Sequence, residues 1–154
     1  MDKRSNRLST KTNPALKKLE KFIGDWDMQG SHPMLPAPVR GSSLIEWLEE
    51  DGILLWHFNF ERPGPPSAII VIGHDDAVET YSMLYFDERS VSRIYTMSLE
   101  GNTWKFWRES PGFSQRFTGI FSEDGSTISG HGELSRDGSK WEQDLDLTYT
   151  RVRR

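Results

Sequence analysis

There is no cysteine among the 154 residues. That excludes disulfides, thiol nucleophiles and Cys-based zinc or iron–sulfur sites, and it fits a reducing compartment. No apolar run approaches the ~20 residues of a membrane span, and the first residues lack the apolar segment of a signal peptide. The expected location is cytoplasmic. Charge of one sign is also scarce: a formal net charge of −4 gives no general attraction for nucleic acid. The imbalance that exists lies at the start. Lys3, Arg4, Arg7 and Lys11 against Asp2 give residues 1–12 a net +3, leaving −7 for the rest. Lacking an interleaved aromatic or helical pattern, this basic segment reads as a disordered tail ahead of one domain at 13–154.

Helical periodicity is nearly missing too. Only "NPALKKLEKFI", 13–23, carries it. Asn13 suits an N-cap, Pro14 the first helical position, and Leu16, Leu19 and Ile23 recur on one face before Gly24. Beyond it the chain is punctuated by turn pairs: Asp51-Gly52, Asp75-Asp76, Asp87-Glu88, Gly101-Asn102, Asp124-Gly125 and Asp137-Gly138. Between them lie strand-like segments at 24–31, 38–50, 53–61, 67–74, 79–86, 90–99, 102–109, 113–122, 126–135 and 139–152. Pro-rich "HPMLPAPV" and "ERPGPPS" read as irregular loops. A meander this long closes to remove its edges. The expectation is an all-β, antiparallel up-and-down barrel of about ten strands with one short N-terminal helix.

Aromatic residues are plentiful: 12% of the chain, with six Trp and eight Phe. Period-two sorting places Trp56, Phe58, Met83, Trp104, Phe106 and Phe117 inward. The same face receives Arg93, Arg108, Arg151, Gln115, Gln143, Tyr81, Tyr85, Tyr95 and Tyr149, and Trp141 with them. The row Glu142, Asp144, Asp146 sorts to solvent. A packed core would not tolerate so many polar groups without partners, whereas a hollow barrel would. Arg108 and Arg151 lie near strand ends, where a guanidinium can also reach water at a barrel mouth.

The expected function is binding of a small amphipathic molecule bearing a carboxylate or phosphate. Arg93 and Tyr95, two residues apart on one face, would hold the head group, with Gln115 and Arg108 nearby and Tyr81 and Tyr85 on the same wall. No catalytic or metal site is assigned. His32 sits in the Pro-rich loop, His57 sorts outward, His74 precedes a turn, and His131 sorts outward. No Gly-x-Ser-x-Gly elbow occurs, so an enzyme acting on a small lipophilic substrate stays an alternative only. Outward-sorted Trp107, Ile94 and Ile120 mark a candidate homodimer surface.

"FIGDWDMQG", 22–30, resembles the opening of the calycin barrels, in which a short helix leads into Gly-x-Trp on the first strand. With "YFDERSVSRIYTMSL" and "DLDLTYTRV", the chain looks most like a bacterial calycin family of unknown function distantly related to nitrobindins. The resemblance implies that Trp26 closes one barrel end and that Arg151 packs over its ring, so that Gly24, Trp26 and Arg151 form a structural signature. Fatty-acid-binding proteins hold a carboxylate with Arg-x-Tyr. Arg93-Ile94-Tyr95 has that spacing on an earlier strand, and the terminal Thr150-Arg151-Val152-Arg153 lacks the tyrosine. Nitrobindins hold haem through a histidine near the C-terminal end of the barrel. The last strand has none here, so no cofactor is expected and haem is the disfavoured alternative.

Overall fold

The computed structural model describes residues 13–48 and 52–153. The basic segment 1–12, the last residues of the expected 38–50 strand and Asp51 of the Asp51-Gly52 turn lie outside the described residues. The chain begins as expected: the Asn13 side chain accepts a hydrogen bond from the Ala15 N–H at 3.0 Å, capping a single α-turn, α1 (Pro14–Lys17). The helix then tightens into a 3-10 turn, Lys18–Phe22, instead of continuing to Ile23 as an α-helix. The reason is spacing. Leu16, Leu19 and Phe22 are three apart, and only a three-residue turn lines them up on one side. All three are buried, with Leu19 and Phe22 fully so.

Ten strands follow: β1 (Gly24–Ser31), β2 (Val39–Trp47), β3 (Leu54–Phe60), β4 (Ala68–Asp75), β5 (Thr80–Asp87), β6 (Ser92–Glu100), β7 (Thr103–Arg108), β8 (Ser114–Phe121), β9 (Thr127–Ser135) and β10 (Glu142–Arg151). Each pairs antiparallel with the next, and β1 pairs with β10, so the barrel is closed and has no free edge. No helix among the described residues is long and apolar enough to cross a membrane.

Sequential topology gives the barrel two different ends. At one end, the 3-10 turn drives Phe22 between Trp56, Trp104 and Phe121, with ring centroids 5.1–5.9 Å away. Trp26 donates its indole N–H to the Phe22 carbonyl at 2.8 Å. The Arg151 guanidinium lies over the Trp26 ring, 4.2 Å from its centroid, and donates to the carbonyls of Ile23, Lys21 and Gly125. Gly24 is required beneath it: its φ is +135°, and a Cβ there would sit 2.7 Å from Arg151 Nη1. Lys21 and Tyr81 fasten the plug from two sides. The Lys21 ammonium donates to Gly101 and Asn102 in the β6–β7 turn, and the Tyr81 hydroxyl donates to the Ala15 carbonyl. The other end is ringed by the longer loops, among them both Pro-rich segments.

Two predictions concern this frame. Arg151→Ala removes a cation–π stack and three carbonyl contacts, so urea unfolding should show a loss of about 2–3 kcal/mol. Arg151→Lys should recover little of it, because an ammonium cannot reproduce the planar fork. A loss under about 0.5 kcal/mol for Arg151→Ala would be the level of an ordinary surface change and would contradict the closing role. The second concerns the hairpin turns. Asp124 accepts from the Ser126 hydroxyl and N–H and from the Ser122 hydroxyl, which hold its carboxyl down to about 2 from 3.8. Asp137 accepts the Lys140 and Ser139 N–H groups and is likewise lowered to about 2. Both folded values lie below the unfolded one. The stabilisation is therefore complete above about pH 4 and is lost as pH falls through the folded values. Asparagine does not titrate, so Asp124→Asn/Asp137→Asn should lose less stability than the unmodified protein between about pH 5 and about pH 2 in urea unfolding followed by circular dichroism; an equal loss in the two proteins would contradict the assignment.

Candidate functional site

The barrel interior holds a cavity of about 410 Å³. That is well beyond the ~150 Å³ apolar hollow known to admit benzene, and within the range of small-molecule pockets. Its wall is aromatic. Phe106 and Phe117 stack at 4.9 Å and 15°, and Tyr95 and Trp104 flank them at 5.2–5.4 Å. Glycine makes this possible. A Cβ at Gly119 would lie 2.6 Å from the Trp104 ring, and one at Gly130 would lie 2.2 Å from the Phe117 ring. The rings therefore approach bare backbone more closely than any side chain would allow, and the centre stays open.

Polar groups gather at the loop-ringed end. Arg93 on β6 donates from Nη1 to Gln115 Oε1 on β8 at 3.2 Å, and the Tyr95 hydroxyl donates to the same oxygen at 2.9 Å. The other side of that amide, Nε2, donates to Asp144 Oδ2 at 3.3 Å. Asp144 Oδ1 is 3.0 Å from His32 Nε2. The Met34 N–H donates to His32 Nδ1 at 3.0 Å, which places the proton of the neutral ring on Nε2, pointing at Asp144. The Arg93 guanidinium also rests over the Phe113 ring, 5.3 Å from its centroid. Burial pushes the Tyr95 phenol up, against the opposing influence of Arg93.

The other two arginines lining the cavity are already matched. Arg89 lies 2.7 Å from Asp87, which also accepts from the Tyr85 hydroxyl at 2.8 Å. The Arg89 guanidinium holds the Asp87 carboxyl far below the usual carboxylate range, while burial and Asp87 push the Tyr85 phenol up. Arg116 lines both the cavity and an outer groove and pairs with Glu133 at 2.9 Å. Among the described residues, Arg93 has no carboxylate within 4.0 Å.

Of the residues singled out from the sequence, Arg93, Tyr95, Gln115, Tyr85, Met83, Trp56, Phe58, Trp104, Phe106 and Phe117 line this cavity. Two do not. Tyr81 is turned to α1 and packs against His74 at 5.0 Å, because its position on β5 falls at the plugged end. Arg108 stands opposite Gln115 in register but lines outer grooves with Trp107 and Glu109, as a strand-end arginine can. On the outer face, Trp107 and Ile94 share a groove with Leu84 and Phe86, and Ile120 lies outside it.

The largest departure is on β10. From Gln143 to Asp146 this strand advances three residues while β9 advances two, from Glu133 to His131. The extra residue is a β-bulge, and it inverts the alternation before it. Asp144, sorted to solvent by strict alternation, lines the cavity beside Leu145. Gln143 turns outward to Asp146, and Trp141 lies outside under the Arg116 guanidinium, 3.8 Å from the ring centroid. One signal for this existed in the sequence. Gly132 is a glycine inside a strand, and a Cβ there would lie 2.5 Å from the Leu145 carbonyl oxygen. His32 was missed because a Pro-rich loop has no period from which to read direction. His131 is outward as expected and pairs with Asp146 at 2.6 Å. The described residues contain no group of three or more His, Cys, Asp or Glu side chains able to hold a metal ion.

Comparison with known proteins adds the fold and nothing finer. No family model matches the chain, and no curated protein matches it. Fifteen chains of solved structure do match. Among them is Rv2717c from M. tuberculosis, whose crystal structure is similar with a TM-score of 0.60 at 14% identity, covering 91% of this chain and 98% of that one. The chain shares the barrel fold of that protein over nearly its whole length.

Proposed function

We propose that the cavity binds one small amphipathic molecule with an acid group, carboxylate or phosphate, seated at the loop-ringed end against Arg93 and Tyr95. The observation that carries this reading is the unmatched charge. Arg93 is the one arginine lining the cavity without a carboxylate partner among the described residues, while Arg89 and Arg116 each have one. Its hydrogen bond and that of Tyr95 converge on a single amide oxygen of Gln115. A carboxylate offers two oxygens and a full charge to the same two donors, a stronger arrangement. Gln115 also spaces Asp144 from Arg93, so the carboxylate orients the amide without neutralising the guanidinium. The body of the ligand would lie among Phe106, Phe117 and Trp104, where burial of apolar surface contributes most of the affinity.

The Gly24–Trp26 opening and the Arg151 stack over Trp26 support relating this barrel to the calycins, whose members hold small apolar molecules in the same place. No serine, threonine or lysine lines the cavity among the described residues, and we propose a binding protein rather than an enzyme.

The test is a fluorescence titration with 8-anilinonaphthalene-1-sulfonate, followed by displacement with decanoate. One site per chain is expected for each. Arg93→Ala should weaken decanoate by about 2–4 kcal/mol, the usual cost of removing one partner of a desolvated charge pair. Asp144→Asn should tighten decanoate about threefold to tenfold, since it removes a like charge a few ångströms from the head group. Undiminished decanoate binding in Arg93→Ala would refute the assignment.

A further inference from the structure

The inner end of the cavity carries three hydrogen-bond donors that have no acceptor. Trp56 and Trp104 are 2% and 1% exposed, and neither indole N–H is hydrogen-bonded. Tyr149 is 6% exposed, and its hydroxyl has no hydrogen-bond partner among the described residues. Burial alone, with no partner acting on it, pushes this phenol up. The three rings form one cluster: Trp56 to Trp104 is 5.4 Å, Trp56 to Tyr149 is 5.9 Å, and Trp104 to Tyr149 is 6.1 Å between centroids. All three line the cavity.

An unsatisfied buried donor costs roughly 1–3 kcal/mol, and phenylalanine would fill such a position without that cost. One orphan is an exception that a fold tolerates. Two such orphans beside the partnerless Tyr149 hydroxyl, on the wall of a hollow, mark a place where an acceptor belongs. The charged groups lining the hollow are all at the other end: Arg89, Arg93, Arg116, Asp144 and His32 come from or beside the loops. An anion at the inner end would be buried without a counter-charge, which is far more costly than burying a neutral acceptor. The acceptor is therefore uncharged. Neither indole nitrogen has surface open to the hollow, so an entering group meets the Tyr149 hydroxyl first, and the indole N–H groups reach it only by a turn of their rings, which the indole signals report.

We propose that Tyr149, Trp56 and Trp104 form a second polar subsite that takes a neutral oxygen acceptor, a ketone, ester or amide carbonyl, at the inner end of the bound molecule. The proposal rests on the cavity being a small-molecule site and narrows the ligand class. The molecule is an acid with a planar or apolar body and a carbonyl oxygen at the end remote from the acid.

Acetophenone and α-methylstyrene test this subsite apart from the acid site, because they share one shape, carry no charge and differ by C=O against C=CH2. The full chain, labelled with nitrogen-15, is titrated with each, with the indole N–H signals assigned. Acetophenone should bind about tenfold more tightly than α-methylstyrene, the discrimination expected when a buried donor gains or lacks its acceptor. It should also move the Trp56 and Trp104 indole protons downfield. Tyr149→Phe should bring the two affinities together, while Trp107→Phe on the outer face should leave the tenfold ratio unchanged. Equal affinities in the unmodified protein, unmoved indole signals, or failure of both probes to bind would each overturn the subsite. If acetophenone discriminates and decanoate does not bind, the acid site falls and this one stands. The reverse pattern removes this one alone.

Discussion

Ten strands closed in a ring enclose more volume than their inward side chains fill. Everything else in the molecule follows from how that surplus is managed. At one end it is consumed: a three-residue helical spacing pushes Phe22 into the mouth, Trp26 holds the turn by its carbonyl, and Arg151 seals the ring from the last strand. In the middle it is preserved. Large planar side chains take the space that a Cβ at Gly119 or Gly130 would fill, so the wall is aromatic and the axis open. At the other end, irregular proline-rich loops leave the interior in reach of solvent.

Electrostatics sort themselves along the same axis. Charged groups cost least near the loops, where water is close, and among the described residues each arginine lining the cavity but one has found a carboxylate. The exception, Arg93, is held by a neutral amide and a phenylalanine face. Gln115 is the central spacer, its oxygen turned to the donors and its nitrogen to Asp144. His32 fixes the far side of that carboxylate and ties the β1–β2 loop to β10. Among the described residues the inner end carries no charge, and three donors there have no acceptor. The cavity is therefore polar at both ends and apolar between, but in two different chemical senses.

Much of this was legible from residue order. Period-two sorting of β3, β5, β6, β7 and β8 placed ten cavity residues correctly, because those strands run without irregularity from turn to turn. The Asp-Gly and Gly-Asn pairs located the hairpins for the same reason: a tight turn demands particular backbone angles, and few residues supply them. What failed did so where a local rule was interrupted. One inserted residue on β10 reversed the faces of Asp144 and Gln143, and alternation carries no mark of such an insertion beyond the glycine opposite. Tyr81 obeyed the alternation, yet its height along the barrel set it against the helix instead of the hollow. Height depends on strand stagger, which residue order alone does not give. Arg108 shows the same limit at a strand end.

The most direct measurement is a crystal structure of the protein grown with decanoate. The account expects one molecule inside the barrel, its carboxylate oxygens within hydrogen-bond distance of the Arg93 guanidinium and the Tyr95 hydroxyl, and its chain running between Phe106 and Phe117 toward Tyr149. Decanoate lying only on the outer groove beside Trp107, or an interior collapsed around Phe106 with no hollow, would contradict it.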